Sequence, residues 1–318
     1  MVKIEYNETN YEDLLRLISR QVKGKVSENI MNFPDNVCDG KMWHVLLHNR
    51  LQVLMYDYTP KESLLYQRKK SVKDFYILRF DDVAAVEGVQ ESKSSVLFTH
   101  TKQSSFYMAS PNVRLRGVKF LFAKEWLDSF LSQDIAGNNI LQYIALKMTG
   151  PFNYEAMDAE YTRLLNELLA CATNKVDGLI IRNRCMLLLE RFFTRFFKKI
   201  TERPLSIKMS PEEIERLREV ESELIKDFSA DPPTIPKLAR LAAMSPSKLK
   251  QTFKVIYGMP VYQYYQKHRM NKAKAMLLSK NYSEHEVASE LGFANRSNFL
   301  KAFHKSFGQM NENMSAAS

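Results

Sequence analysis

The feature that most constrains the fold is a pattern of helix signals in the last third of the chain. Residues 235–242 have small or apolar side chains at helical spacing, which predicts a short helix. Ala243-Met244 follows as a turn. Ser245 and Pro246 then provide a preferred N-cap and a preferred first helical residue. This order predicts two helices joined by a tight turn.

A second copy of the pattern follows about 50 residues later. A helix predicted over 286–291 leads into the turn Gly292-Phe293-Ala294, and Asn295 is the predicted cap of the next helix. The apolar spacing of residues 261–279 predicts one long helix between the copies. The sequence therefore predicts two helical pairs whose relative position a long helix fixes.

The second helix of each pair is predicted to be amphipathic. Leu249, Phe253 and Ile256 would be buried in the first, and Phe299, Phe303 and Phe307 in the second. A face of basic and amide side chains opposite the buried one suits a recognition helix, although a solvated surface helix has the same pattern. The candidate DNA-binding residues are Ser247, Lys248, Lys250, Gln251, Lys254, Arg296, Ser297, Asn298, Lys301 and Lys305.

Positive charge is concentrated in the same segment. Residues 232–318 contain 13 Lys and Arg against 4 Asp and Glu, a balance of +9, whereas the whole chain has +10. The remaining residues are therefore close to neutral. A basic region confined to one module favours a polyanionic partner, and the helical pairs favour double-stranded DNA.

This region strongly resembles the DNA-binding domain of the AraC/XylS family of bacterial transcription regulators. The resemblance implies a seven-helix domain whose two recognition helices enter successive segments of the major groove. The matching residues are Leu238, Ala239, Met244, Ser245, Pro246, Ser247, Lys248, Leu249, Phe253, Lys254, Gly258, Tyr264, Arg269, Ala273, Leu277, Ala288, Leu291, Gly292, Phe293, Ser297, Phe299, Phe303, Phe307 and Gly308.

By position in the family pattern, the candidate residues divide into two groups. The resemblance assigns Ser247, Lys250, Gln251, Arg296, Ser297 and Lys301 to base edges. Arg and Lys suit guanine and Gln suits adenine, which agrees with this assignment. Lys248, Lys254 and Lys305 are assigned to phosphates, where they would add affinity without sequence information.

The chain departs from the family pattern in two places. Val261 stands where many members have proline, and residues 309–315 lack the proline, aromatic and arginine that usually follow the last Phe-Gly. The altered tail motivates an alternative function. In that alternative, the protein is a ligand-responsive interaction protein with a degenerate second helix-turn-helix that titrates another regulator.

The first two thirds of the chain predict an α+β fold. Short aromatic and β-branched segments, typical of a sandwich or barrel, give way near residue 124 to helical spacing. The domains expected are a β-rich sensory domain over 1–123, a helical linker or dimerisation region over 124–204, and the DNA-binding domain over 210–318. The strands are predicted over 43–47, 51–58, 75–80, 95–100, 106–109 and 113–122, and the helices over 1–30, 123–131, 139–148, 155–173, 178–200 and 210–228.

The AraC/XylS resemblance implies that the β-domain is cupin-like and senses a small-molecule effector or a partner. Inward strand residues would line its pocket, and the effector itself is unknown. The Phe-rich stripe of the 178–200 helix either packs on the β-domain or pairs with a second copy, and we expect a homodimer. RNA polymerase is a further partner that the resemblance allows. The pocket candidates are Trp43, Val45, Tyr76, Leu78, Phe98 and Tyr107.

No metal, cofactor or enzymatic activity is expected. His44 and His48 would be about 13 Å apart in a strand, too far to share one ion. The nucleophile-elbow, phosphate-loop, dinucleotide and zinc-protease motifs do not occur in the sequence. The three cysteines include no CxxC pair, and the sequence has neither a signal peptide nor a membrane span. These features predict a cytoplasmic protein.

Overall fold

The structure is a computed structural model in which the chain divides into two compact units, Met1–Ser206 and Ile207–Ser318. It describes residues 2–47, 50–85, 94–102, 105–131, 154–171, 178–202, 209–278 and 282–307. Three features of the sequence analysis lie outside these residues: the helix predicted over 139–148, the residue His48, and the tail at 309–315. The predicted α+β class is confirmed, with a β-rich first unit and a second unit whose described residues form helices and no strands.

The first unit contains two sheets. The larger has eight strands in the order β11-β8-β7-β10-β5-β4-β3-β2, with each neighbouring pair antiparallel. The smaller has the order β1-β6-β9. The strands are β1 Val2–Tyr6, β2 Lys25–Ser27, β3 Ile30–Asn32, β4 Cys38–Leu46, β5 Gln52–Pro60, β6 Leu64–Arg68, β7 Phe75–Ala85, β8 Ser95–His100, β9 Ser105–Ala109, β10 Val113–Ala123 and β11 Tyr154–Ala156.

Alternation along the strands gives the large sheet two apolar faces. On β7, Leu78 and Phe80 belong to one core cluster and Ile77 to another, as the period of two in a strand requires. The cluster with Ile77 also contains Ile4 of β1 and Leu64 of β6, so it lies between the two sheets. The cluster with Leu78 and Phe80 is covered by helices of the first unit.

The beginning of the chain differs from the single helix predicted over 1–30. Residues 2–6 form strand β1, and helix α1 (Tyr11–Val22) begins only after Asn10, whose side chain accepts a hydrogen bond from the Asp13 amide at 3.0 Å. β1 pairs in parallel with β6, a strand that we did not predict. Both differences come from pairing between residues about 60 positions apart, which local periodicity does not encode.

Three described helices of the first unit follow the last long strand. They are α2 Lys124–Leu131, α3 Ala159–Cys171 and α4 Gly178–Glu202. The predicted stripe of α4, including Cys185, Leu188 and Phe192, is buried in the core cluster that also contains sheet residues. Within one chain, this stripe therefore packs on the β-sheet. Among the described residues, no helix is long and apolar enough to cross a membrane.

The second unit is all-helical in its described residues. Its helices are α5 Pro211–Leu224, α6 Ile235–Leu241, α7 Pro246–Tyr257, α8 Val261–Leu278, α9 Glu284–Glu290 and α10 Arg296–Phe307. Helix α5 ends four residues earlier than expected. Helix α9 begins two residues earlier, because Ser283 and Glu286 form a capping box that fixes its start.

Candidate functional site

The first helix-turn-helix consists of α6 and α7, and local sequence fixes both helix starts. The Thr234 side chain caps α6, and the Ser245 side chain accepts from the Lys248 amide at 3.2 Å to cap α7. Between the helices, Ala243 adopts a left-handed φ of 51°. The Met244 amide then donates to the Ala239 carbonyl at 3.0 Å. The turn ends α6, and α7 then begins with its own N-cap.

The second helix-turn-helix, α9 and α10, repeats this geometry with one extra residue. Gly292 takes the left-handed position of the turn with φ 68°, and the Phe293 amide donates to the Ala288 carbonyl at 2.8 Å. Ala294 is the added residue. The Asn295 side chain then accepts from the Asn298 amide at 2.8 Å and caps α10. The internal repeat inferred from the sequence is therefore present in the backbone.

Both recognition helices, α7 and α10, bury an apolar face and expose a polar one. Leu249, Phe253 and Ile256 are buried in α7, and Phe299 and Phe303 in α10. Phe307, predicted to be buried, is half-buried. All the candidate DNA-binding side chains are exposed within this unit: Ser247, Lys248, Lys250, Gln251, Lys254, Arg296, Ser297, Asn298, Lys301 and Lys305.

Buried hydrogen bonds hold the first helix-turn-helix against α5 and α8. The Tyr257 hydroxyl, at the end of α7, donates to the Leu217 carbonyl of α5 at 3.2 Å. The Tyr264 hydroxyl of α8 donates to Glu221 of α5 at 3.0 Å, and its ring centroid lies 5.5 Å from that of Phe253. Burial raises the pKa of Tyr264, so this donor stays protonated. These contacts join α5, α7 and α8 into one body.

Arg269 of the long helix α8 contacts the second helix-turn-helix at the end of α9 and in the turn. Arg269 of α8 donates from Nε and Nη2 to the Leu291 carbonyl at 2.8 and 2.5 Å, at the end of α9. Its guanidinium also lies 3.7 Å from the centroid of the Phe293 ring in the turn. Arg269 therefore satisfies a terminal helix carbonyl and packs under the turn at the same time.

Residues 238–312 match the family model of a helix-turn-helix domain. This part of the chain is an AraC-type helix-turn-helix domain. The predicted resemblance of this region to an AraC/XylS DNA-binding domain is therefore confirmed, and the domain supports a role in DNA binding and transcription regulation. No curated protein matches the sequence.

Several solved structures are similar to the chain. The C-terminal domain of AraT, a response regulator from Geobacillus stearothermophilus, is 27% identical, with 34% of this chain and 86% of that chain covered and a TM-score of 0.28. The C-terminal domain of the two-component response regulator yesN from Fusobacterium nucleatum is 26% identical, with 29% and 95% covered and a TM-score of 0.27. ToxT from Vibrio cholerae is 12% identical, with 80% and 94% covered and a TM-score of 0.33.

Two ion pairs of the AraC-type domain were not foreseen. Lys248 of α7 contacts Glu213 of α5 with Nζ and Oε1 2.7 Å apart, and this contact lowers the pKa of Glu213. Arg296 of α10 contacts Glu284 of α9 with Nη2 and Oε2 2.6 Å apart. The partners are 35 and 12 positions apart in sequence, outside the reach of pair rules for a single helix.

The first unit has a cavity between its two sheets, of about 40 Å³. The pocket residues expected from the sequence lie elsewhere, with the exception of Tyr107. Trp43, Val45, Tyr76, Leu78 and Phe98 belong to or pack against the core under the helices, on the opposite face of the large sheet. The cavity is lined by Tyr6, Met42, Tyr56, Tyr58, Tyr66, Arg79, Asp81, Val83, Tyr107, Leu115, Arg116 and Lys119.

The cavity lining is rich in hydrogen-bond donors. Besides five phenols it contains Arg79, Arg116 and Lys119, against a single carboxylate, Asp81. Arg79 Nη2 lies 2.7 Å from Asp81 Oδ2, and Lys119 Nζ lies 3.3 Å from Glu8 Oε1. Burial raises the pKa values of four of the five phenols, which therefore keep their protons: Tyr56, Tyr58, Tyr66 and Tyr107.

The described residues provide no metal centre. They contain no group of three His, Cys, Asp or Glu side chains placed to hold an ion. His44 is buried and has its pKa lowered by burial, which favours a neutral imidazole in the core.

Proposed function

We propose that α7 and α10 read promoter DNA by entering successive segments of the major groove, and that the protein thereby binds specific operators. The observation that carries this proposal is that each recognition helix buries its apolar residues and exposes every candidate polar residue. The excess of positive charge lies in the same segment. An exposed cationic face on both helices supports contact with DNA from the two helix-turn-helix motifs together.

The exposed residues have different proposed roles. Ser247, Lys250 and Gln251 would contact base edges from α7, whereas Lys248 and Lys254 would contact phosphates. On α10, base contacts are proposed for Arg296, Ser297 and Lys301, and a phosphate contact for Lys305. Asn298 is the third residue of α10, and its exposed side chain is a further proposed contact with DNA.

The test compares an operator selected by the full-length protein from random duplexes with a random duplex of equal length. Affinity for both should fall steeply between about 50 and 200 mM salt, and the operator should bind tighter at every salt concentration. Lys250→Ala should cost about 1–3 kcal/mol on the operator and relax the preference at one base position. Lys254→Ala should weaken both duplexes alike.

Lys267→Ala provides a matched control, because Lys267 is exposed on α8, outside both recognition helices. It removes the same charge and should leave the preference for the operator unchanged. Equal affinity of the wild-type protein for selected and random duplexes would refute sequence-specific binding.

We infer that the first unit senses a small molecule through the cavity between its sheets. Since the lining offers phenol and cationic donors, the effector would carry several acceptor atoms. The cavity has room for about three water molecules, so a larger effector must displace side chains. Val83→Phe should fill the space. Genomic occupancy of that variant should then no longer respond to growth conditions that alter wild-type occupancy, and an unchanged response would contradict this site.

Homodimerisation and contact with RNA polymerase remain predictions. An analytical ultracentrifugation series over protein concentration tests the first, and a pull-down of the polymerase on operator DNA tests the second. The alternative of a degenerate second helix-turn-helix is not favoured, because the α10 face that bears Arg296 and Lys301 is exposed within its unit.

A further inference from the structure

Arg296, the first residue of the second recognition helix, is held by a carboxylate of the preceding helix. Its Nε and Nη2 atoms donate to Glu284 Oε2 at 2.7 and 2.6 Å. Glu284 is the first residue of α9. The side chains remain 59% and 37% exposed, so the pair lies at the surface of the unit and can meet a ligand.

The ion pair uses only part of the guanidinium. Arginine has five N–H donors, and the contact with Glu284 engages Nε–H and one N–H of Nη2. The two N–H groups of Nη1 and the second N–H of Nη2 remain. These form the end-on fork that suits the O6 and N7 acceptors of guanine. Glu284 can therefore hold the side chain without blocking its readout of a base.

Because Glu284 orients the Arg296 side chain before DNA binds, Arg296 should contact a base more readily than a phosphate. A free arginine loses rotamer freedom when it binds, and an arginine already held in place loses less. A phosphate that approached Arg296 would also meet the negative charge of Glu284, whereas a guanine edge carries no net charge. The pair thus opposes non-specific capture by the backbone while it leaves base recognition intact.

Helix capping does not account for Glu284. The capping box of α9 uses Ser283 and Glu286, with the Ser283 amide donating to Glu286 Oε2 at 2.7 Å. In the other ion pair of this kind, Glu213 holds Lys248 but also accepts from the Ser210 amide at 3.0 Å, as part of the α5 capping box. The carboxylate of Glu284 is directed at Arg296 instead.

We propose that Glu284 is a positioning residue that determines specificity, by orienting Arg296 toward a guanine edge and disfavouring its contact with phosphate. This inference rests on the proposed binding of DNA by α10. The effect expected of Glu284 is on the ratio of operator affinity to random-duplex affinity, rather than on the affinity for DNA in general.

The test uses the full-length protein, the selected operator and the random duplex. Glu284→Gln removes the charge and keeps the shape, and Glu290→Gln is its matched control, because Glu290 is an exposed acid of the same helix. Both variants lose one negative charge, so both should bind random DNA more tightly. Only Glu284→Gln should reduce the operator-to-random ratio, by about three- to tenfold.

A double-mutant cycle separates positioning from a general charge effect. In the Arg296→Ala background, Glu284→Gln should leave the ratio unchanged, since no guanidinium remains to be oriented. A ratio that falls equally in both backgrounds would overturn the inference, as would a ratio that Glu284→Gln does not change in the otherwise wild-type protein. If the wild-type protein itself shows no preference for any duplex, the proposed function fails instead.

Discussion

Replacing Gly292 by alanine should destabilise the second unit by about 2–5 kcal/mol. Gly292 has φ 68°, where a side chain costs about 1–2 kcal/mol in an L-residue. An added Cβ would also lie 2.5 Å from the Ser229 carbonyl oxygen and 3.1 Å from that of Phe228. Both obstacles are backbone atoms, so the chain itself must shift, at a cost of about 1–3 kcal/mol that is typical of overpacking.

The first helix-turn-helix provides a matched control at the equivalent position of its own turn. Ala243 already adopts φ 51° there. Ala243→Gly should relieve about 1–2 kcal/mol of left-handed strain, while the greater freedom of glycine in the unfolded chain opposes this by about 0.5–1 kcal/mol. We therefore expect a net change between zero and a stabilisation of about 1.5 kcal/mol. The two substitutions test whether close approach of the backbone, rather than φ alone, requires glycine at 292.

The positions of the tryptophans allow the two units to be followed separately. The chain has two, Trp43 and Trp126, and both lie in the first unit. In denaturant titrations, tryptophan fluorescence follows the unfolding of the first unit alone. Far-UV circular dichroism follows the unfolding of both units, because it also measures the helices of the second. Gly292→Ala should shift the helical transition and leave the fluorescence transition in place. A loss below about 1 kcal/mol, or an equal shift of both signals, would refute the argument.

The remaining predictions concern buried and titrating groups. Glu8 is 1% exposed and contacts Arg68 at 3.0 Å and Lys119 at 3.3 Å. Because Glu8→Gln leaves these two buried cations without their carboxylate, it should lower the free energy of unfolding of the first unit by about 3–5 kcal/mol, as measured by tryptophan fluorescence. Those cations hold the pKa of Glu8 at about 2 against 4.5, so its contribution should be lost between about pH 4.5 and 2. Burial lowers the pKa of His268 from 6.5 to about 4. Because the unfolded state takes up this proton first, the second unit should lose stability as the pH falls from 6.5 to 4, and His268→Gln should remove that loss. If the two units weaken over the same pH range, these assignments are wrong.

The sequence alone determined the features that depend on residues a few positions apart. Ser245 and Asn295 were identified as helix caps from their side chains and immediate neighbours, and both cap helices in the structure. The two turns and the polar faces of α7 and α10 also followed from local spacing. Capping and periodicity involve one or two turns of helix, so the chain encodes them without help from the rest of the fold.

Only the tertiary structure decided which distant residues meet. The sequence did not predict strand β6, because β6 forms by pairing with β1 and β9 and its own residues lack a clear strand pattern. Of the pocket residues expected from the sequence, only Tyr107 lines the cavity between the sheets, since alternation predicts two faces but not which one the helices cover. The pairing of Arg296 with Glu284 likewise depends on the angle between α9 and α10. Contacts of this kind form when separate elements pack, and packing depends on the whole set of apolar faces at once.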